Sequence, residues 1–149
     1  MLTITFQFSV YLTGYHEELS TSPDVHHFLS FSIMLLAQPV IQWDKTFTGS
    51  ADDRLIKAIN TSDGGHLLGG YSNTQKDGDK STNSKGGYDF WLIKIAADGT
   101  KLWDKAYGGA LDEKLTELRQ TSDEGYILAG YSSSNIGGDK SENSHGLSD

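Results

Sequence analysis

Cysteine is absent from the 149 residues, which excludes a disulfide scaffold, a Cys-ligated zinc site and a thiol nucleophile. Proline is nearly absent: Pro23 and Pro39 stand against 17 glycines. With little enrichment in Ala or Leu, that balance favours a turn-rich β protein over a helical bundle. Positive charge is scarce too, with 12 Lys and Arg against 20 Asp and Glu and a net charge of −8. The summed field repels phosphate backbones and anionic lipid, so nucleic acid is not an expected partner. No run approaches the roughly 18 apolar residues of a helical membrane span. The chain also lacks a Gly-x-Ser-x-Gly elbow, a phosphate-binding glycine loop and a His-Glu-x-x-His pair, so nucleophilic, nucleotide and zinc-hydrolase chemistry have no support.

What the sequence does contain is itself, twice. Residues 41–89 laid over 101–149 without a gap agree at roughly 22 of 49 positions, far above what composition gives. The identities fall in blocks: Trp-Asp-Lys (43–45, 103–105), Thr-Ser-Asp (61–63, 121–123), Gly-Tyr-Ser (70–72, 130–132) and Gly-Asp-Lys-Ser-x-Asn-Ser (78–84, 138–144). A first copy at 41–100 and a second at 101–149 follow an N-terminal extension, 1–40.

Within a copy, the two apolar stretches 55–60 and 66–71 flank Thr61-Ser62-Asp63-Gly64-Gly65, a hairpin with a type I turn closed by a residue at positive φ. Because Glu124 replaces Gly64 while Gly65 and Gly125 are both kept, the left-handed position is expected at Gly65 and Gly125. Leu111–Gln120 has helical propensity, whereas its counterpart 51–60 has much less. The compromise is a short helical turn near Asp52-Asp53 and Asp112-Glu113 leading into a strand. Phe90–Ile95 is a nearly continuous apolar run expected to be a strand buried on both faces, turned back at 97–100 into Lys101–Tyr107. The fold class expected is all-β: four-stranded antiparallel blade-like repeats of a β-propeller, under two blades in all. Faces carrying Leu55, Leu68, Leu115 and Leu128 should then lack cover, leaving the chain marginally stable.

The extension has two features. Residues 1–13 alternate with a period of two, Leu2, Ile4, Phe6, Phe8, Val10 and Leu12 on one side, which is a strand pattern. Phe28–Ala37, followed by Gln38-Pro39, has the length and ending of a signal-peptide h-region, although no Lys or Arg precedes Lys45. The expectation is export, with residues 1–37 outside the repeat fold. The two readings of Phe28–Ala37, h-region or buried core segment, stay open on the residues alone.

The tandem Trp-Asp-Lys-x-[FY]-x-Gly, Thr-Ser-Asp-[GE]-Gly-[HY]-[LI]-Leu-x-Gly-Tyr-Ser and Gly-Asp-Lys-Ser-x-Asn-Ser blocks resemble the repeats of secreted bacterial β-propeller-like proteins, common in species that use type IX secretion. The resemblance covers 41–149. It implies an all-β, secreted or cell-surface protein with further repeats and a C-terminal sorting domain, and it brings no catalytic residues. The function expected is a non-catalytic scaffold or recognition surface for a protein or carbohydrate ligand. The alternative is a fragment of a quinoprotein-like or carbohydrate-active propeller enzyme, because Ala97–Trp103 loosely echoes a Gly-Lys-x-x-Trp blade ending.

One stretch carries candidate chemistry. Asp77, Asp79, Ser81 and Asn83 alternate side-chain oxygens as calcium loops do, and Asp89 could close the loop. The second copy repeats Asp139, Ser141 and Asn143, with Asp149 at the closing position and Gly137 in place of Asp77. The competing role is that these residues cap turns through their own backbone. Calcium is the one cofactor considered. The histidines do not recur as ligands, since His66 is matched by Tyr126 and His145 by Lys85. Trp43, Trp103, Tyr71 and Tyr131 could line a sugar-binding surface, but a position recurring once per copy fits a stacking core better.

Overall fold

A computed structural model of the chain describes residues 2–8 and 40–146. All regular structure in them is β, in three antiparallel sheets. Strands β1 (Leu2–Phe8) and β2 (Val40–Phe47) form a two-stranded sheet. The central sheet is a four-stranded meander of β3 (Asp53–Asn60), β4 (His66–Ser72), β5 (Asp89–Ile95) and β6 (Lys101–Tyr107). A second two-stranded sheet joins β7 (Glu113–Gln120) to β8 (Tyr126–Ser132).

The 60-residue offset is visible in the backbone. β3–β4 and β7–β8 share one register and one bulge, between Leu55 and Lys57 and between Leu115 and Glu117. The β1–β2 pairing reproduces that of β5–β6: Phe47 faces Leu2 as Tyr107 faces Phe90, and both ladders slip at the corresponding place. Thus part of the N-terminal extension is joined to the opening strand of the first copy. Residues 9–39, including the candidate h-region, lie outside the described residues.

Two cores hold the sheets. Phe47 of β2 packs with Leu68, Trp91, Ile93 and Ile95 on one face of the central sheet, with Trp43 and Leu55 at its margin. Leu67 and Leu92 on the opposite face pack with Leu115 and Leu118 of β7. Since β5 is sandwiched between the two, its run Phe-Trp-Leu-Ile-Lys-Ile needs apolar residues on both faces, as its sequence indicates. Leu68 and Leu115 are each only 1% exposed, which corrects the expectation that their faces lack cover; Phe47 of β2 covers Leu68, and Leu67 and Leu92 of the central sheet cover Leu115. On β8, Ile127 and Tyr131 are among the exposed apolar side chains, with Ile136 in the loop that follows.

Three further expectations change. First, no helical turn stands at 52–53 or 112–113; the strands begin at Asp53 and Glu113. Their carboxylates accept the N–H groups of Gly49 and Gly109 at 2.7 and 2.6 Å, so side chains perform the loop closure that a helical turn would give through its backbone. Second, Leu111–Gln120 is mostly strand β7. The bulge after Leu115 lets Leu115 and Leu118 face the same core although they are three apart, and that spacing imitates a helical period.

Third, the left-handed residues are Gly64 (φ 80°) and Glu124 (φ 67°), not Gly65 and Gly125. Thr61 and Thr121 accept from the N–H of residues 64 and 124, and donate to the carbonyls of Gly65 and Gly125. Gly65 is required for space: a Cβ there would lie 2.4 Å from the Ile95 carbonyl oxygen. Glu124 bears the strain that Gly64 avoids. Glu124→Gly should therefore raise stability by about 1 kcal/mol in urea unfolding, with an unchanged m-value.

Candidate functional site

The loops after β4 and β8 carry the recurring polar residues. Each hangs on the connection that precedes its own sheet. Asp79 N–H donates to the Thr48 carbonyl at 2.8 Å while Thr48 N–H donates to Asp79 Oδ2 at 2.9 Å; Asp139 and Gly108 repeat the exchange at 2.9 and 3.0 Å. The glycine before each Asp is positive in φ and lies so close that a Cβ would stand 2.3 Å from the same carbonyl oxygen. The pair Gly-Asp is thus a joint between the end of one sheet and the loop of the next.

The side-chain oxygens of Asn83, Asn143 and Asp77 also hold backbone. Asn83 Oδ1 accepts from Lys76 N–H at 2.8 Å, and Asn143 Oδ1 from Ile136 N–H at 3.0 Å. Asp77 Oδ1 accepts from Gly78 N–H at 2.8 Å. Ser81 is exposed and gives its backbone N–H to Asp104 Oδ2 at 2.9 Å; Ser141 is exposed as well. Asp89, the candidate closing residue, is fully buried at the start of β5, where Oδ2 accepts from Lys85 N–H at 2.7 Å. Asp149 lies outside the described residues. Among the described residues, no three His, Asp or Glu side chains stand together as a metal centre. A calcium ion taken up by these oxygens would displace the hydrogen bonds that close the loops.

Underneath each loop is a lysine, Lys80 or Lys140, outside the candidate oxygen set. Lys80 is 1% exposed, and its Nζ donates to the carbonyls of Thr74 and Thr82 at 2.8 and 2.9 Å and to Ser84 Oγ at 3.1 Å. Lys140 makes the equivalent bonds to Ser134 O at 2.6 Å and Ser144 Oγ at 2.9 Å. Burial pushes the Lys80 pKa down, against the opposing pull of Asp89, Asp104 and Asp53. The available signal was the retention of Lys and the second Ser of Gly-Asp-Lys-Ser-x-Asn-Ser in both copies.

Asp104 is the other hidden acid. Burial works against its charge, yet the hydrogen bonds from Lys101, the Ser81 N–H and Trp91 Nε1 outweigh burial and keep its carboxyl below the ordinary range. Three of the four aromatic candidates serve packing. Trp43 lies against the first core and donates from Nε1 to the Ala97 carbonyl at 2.9 Å, and Trp103 lies against the second. Tyr71 meets Tyr88 edge-on at 5.4 Å, while Tyr131 is exposed. His66 is buried against Asn60, and burial lowers its pKa.

Near these loops, a cavity of about 370 Å³ lies between the β5–β6 hairpin and β8. Phe90, Tyr107, Leu128 and Gly130 form its apolar wall, and Glu113 and Lys140 stand at its polar end. Compared with known proteins, the chain matches no family model and no curated protein.

Proposed function

We propose that the chain is a non-catalytic β-propeller-type repeat module serving as a scaffold or recognition surface of a secreted or cell-surface protein. The observation that supports this reading most is where the recurring residues direct their hydrogen bonds. Asp79, Lys80, Asn83 and Ser84, and their counterparts 60 residues on, bond to backbone of their own loop and of the connection before it. Residues retained in both copies therefore do the same job twice: they close a loop and fasten one sheet to the next. Reactive groups in a catalytic centre would instead converge on one opening and would not need to recur with the period of the architecture.

In such a module each sheet stabilises its neighbours, so added units should be additive. Appending a second copy of residues 90–149 directly after Asp149 continues the 60-residue register, because Asp149 corresponds to Asp89. The extended chain should melt roughly 5 °C or more higher, with less dependence on protein concentration, in calorimetry and light scattering. An unchanged melt in the extended chain would sink the module reading.

A further inference from the structure

The two copies give an internal comparison that assigns the open edge of β8. In the central sheet, β4 pairs with β5 so that Gly70 faces Trp91, Leu68 faces Ile93 and Ser72 faces Asp89. The indole of Trp91 packs with Phe47 and Leu68, and the opening left beside Leu68, Gly70 and Trp91 measures only about 10 Å³. At the 60-residue offset the same wall recurs as Tyr107, Leu128 and Gly130, and there the cavity is about 370 Å³. Among the described residues β8 pairs with β7 alone, so its other edge presents backbone donors and acceptors next to that cavity. An apolar cavity beside an open strand edge is the arrangement of strand addition: backbone bonds supply affinity, and pockets for alternate side chains supply specificity.

Resting on the module reading above, we propose that the β8 edge binds a strand of the β5 type, Asp-Phe-Trp-Leu-Ile-Lys-Ile, from another unit of this same repeat, with its Trp side chain filling the cavity beside Gly130. Glycine at 130 leaves the cavity floor open, as Gly70 does beneath Trp91. The occupant comes as a hairpin and not as a single strand. A buried indole N–H needs an acceptor, and in the central sheet Trp91 Nε1 donates to Asp104 Oδ2 of β6 at 3.1 Å. A hairpin brings its own Asp and so arrives satisfied. The exposed Ile127 and Tyr131 of β8 occupy the register of Leu67 and Tyr71, which face Lys94 and Phe90, so the incoming strand sets its Phe beside Tyr131 and the stem of its Lys beside Ile127.

The test uses the full chain and a synthetic peptide with the sequence of residues 89–107. Fluorescence anisotropy of labelled peptide should show saturable binding, and hydrogen exchange should show new protection at 126–132. Peptide carrying Trp91→Ala should bind about 30-fold more weakly or worse, as for a central aromatic anchor. Peptide carrying Asp104→Ala should also weaken, since it strands the indole N–H.

No saturable binding, binding indifferent to Trp91, or protection confined to other strands would each overturn the assignment. So would a chain whose 126–132 amides are already protected in an oligomer and released on dilution, because a second copy then holds the edge. A stabilised extended chain with no peptide binding defeats this assignment alone, whereas an extended chain that gains nothing defeats the module reading beneath it.

Discussion

Lys80→Ala should lower the unfolding free energy by about 3–4 kcal/mol, a large share of the stability of a domain this size. The ammonium has three N–H donors, and all three are used: two on carbonyls of its own loop and one on Ser84 Oγ. Truncation leaves the Thr74 and Thr82 carbonyls without that donor, removes a fully buried stem, and frees Ser84 from the group that orients it. Ser84 keeps the carbonyls of Ser72 and Thr74 within reach of its single O–H, so the loss falls short of complete collapse of the loop. Lys80→Met keeps most of the stem and discards the charge whose burial is unfavourable; about half of the loss should return. Lys140→Ala removes a half-buried lysine with two such bonds, and about 1–2 kcal/mol is expected. Urea unfolding should rank the variants Lys80→Ala, Lys80→Met, Lys140→Ala from the most to the least destabilised. Equal losses for the two alanine variants would show that burial at Lys80 is not what makes it matter.

The sheets were legible because their signals are local or periodic. The duplicated blocks gave the 60-residue unit, and Phe90–Ile95 gave a strand buried on both faces. The errors share a physical cause, which is that a contact distant in sequence overrode a local preference. Gly65 is kept in both copies, but against Ile95 and Lys94 it answers to space, so retention did not mark positive φ. The bulge in β7 hid a strand beneath a helical spacing, and nothing short of the β8 partner reveals it. Asp89 as the residue closing the loop follows from its place after a polar stretch; its pairing opposite Ser72 at the start of β5 carries it inward. A lysine in a Gly-Ser-Asn loop is ordinarily solvated, so the residue type of Lys80 does not announce its burial. Only the count of carbonyls around its Nζ identifies it as the loop's central donor.

Asp89→Asn should make the protein more stable at neutral pH, by about 1–2 kcal/mol, with the gain disappearing on acidification. Asp89 is fully buried; Oδ2 accepts from Lys85 N–H, whereas Oδ1 has no hydrogen-bond partner among the described residues. Glu113 stands across Gly108, where a single Cβ would meet Asp89 Oδ1 at 2.1 Å and Glu113 Oε2 at 2.8 Å. Glu113 is already satisfied by Gly109 N–H and Ser132 Oγ, so the unrelieved charge rests on Asp89. Burial raises the Asp89 pKa; the Lys85 N–H pulls it back, the Glu113 charge adds to the rise, and Lys80 and Lys85 oppose it. With the folded pKa above the unfolded one, the folded state holds the proton more tightly. That contribution is fully present below the unfolded carboxylate value of about 3.9 and is lost as pH rises through the folded value. Asparagine imitates the protonated form at every pH: its oxygen can still accept from Lys85, and its NH₂ puts a donor where Oδ1 now faces Glu113. The stability difference between variant and parent should therefore shrink as pH falls toward 4 and be widest near 7. Urea midpoints across that range measure it, and a variant less stable at pH 7 would show that attraction to Lys80 governs this carboxylate instead of burial.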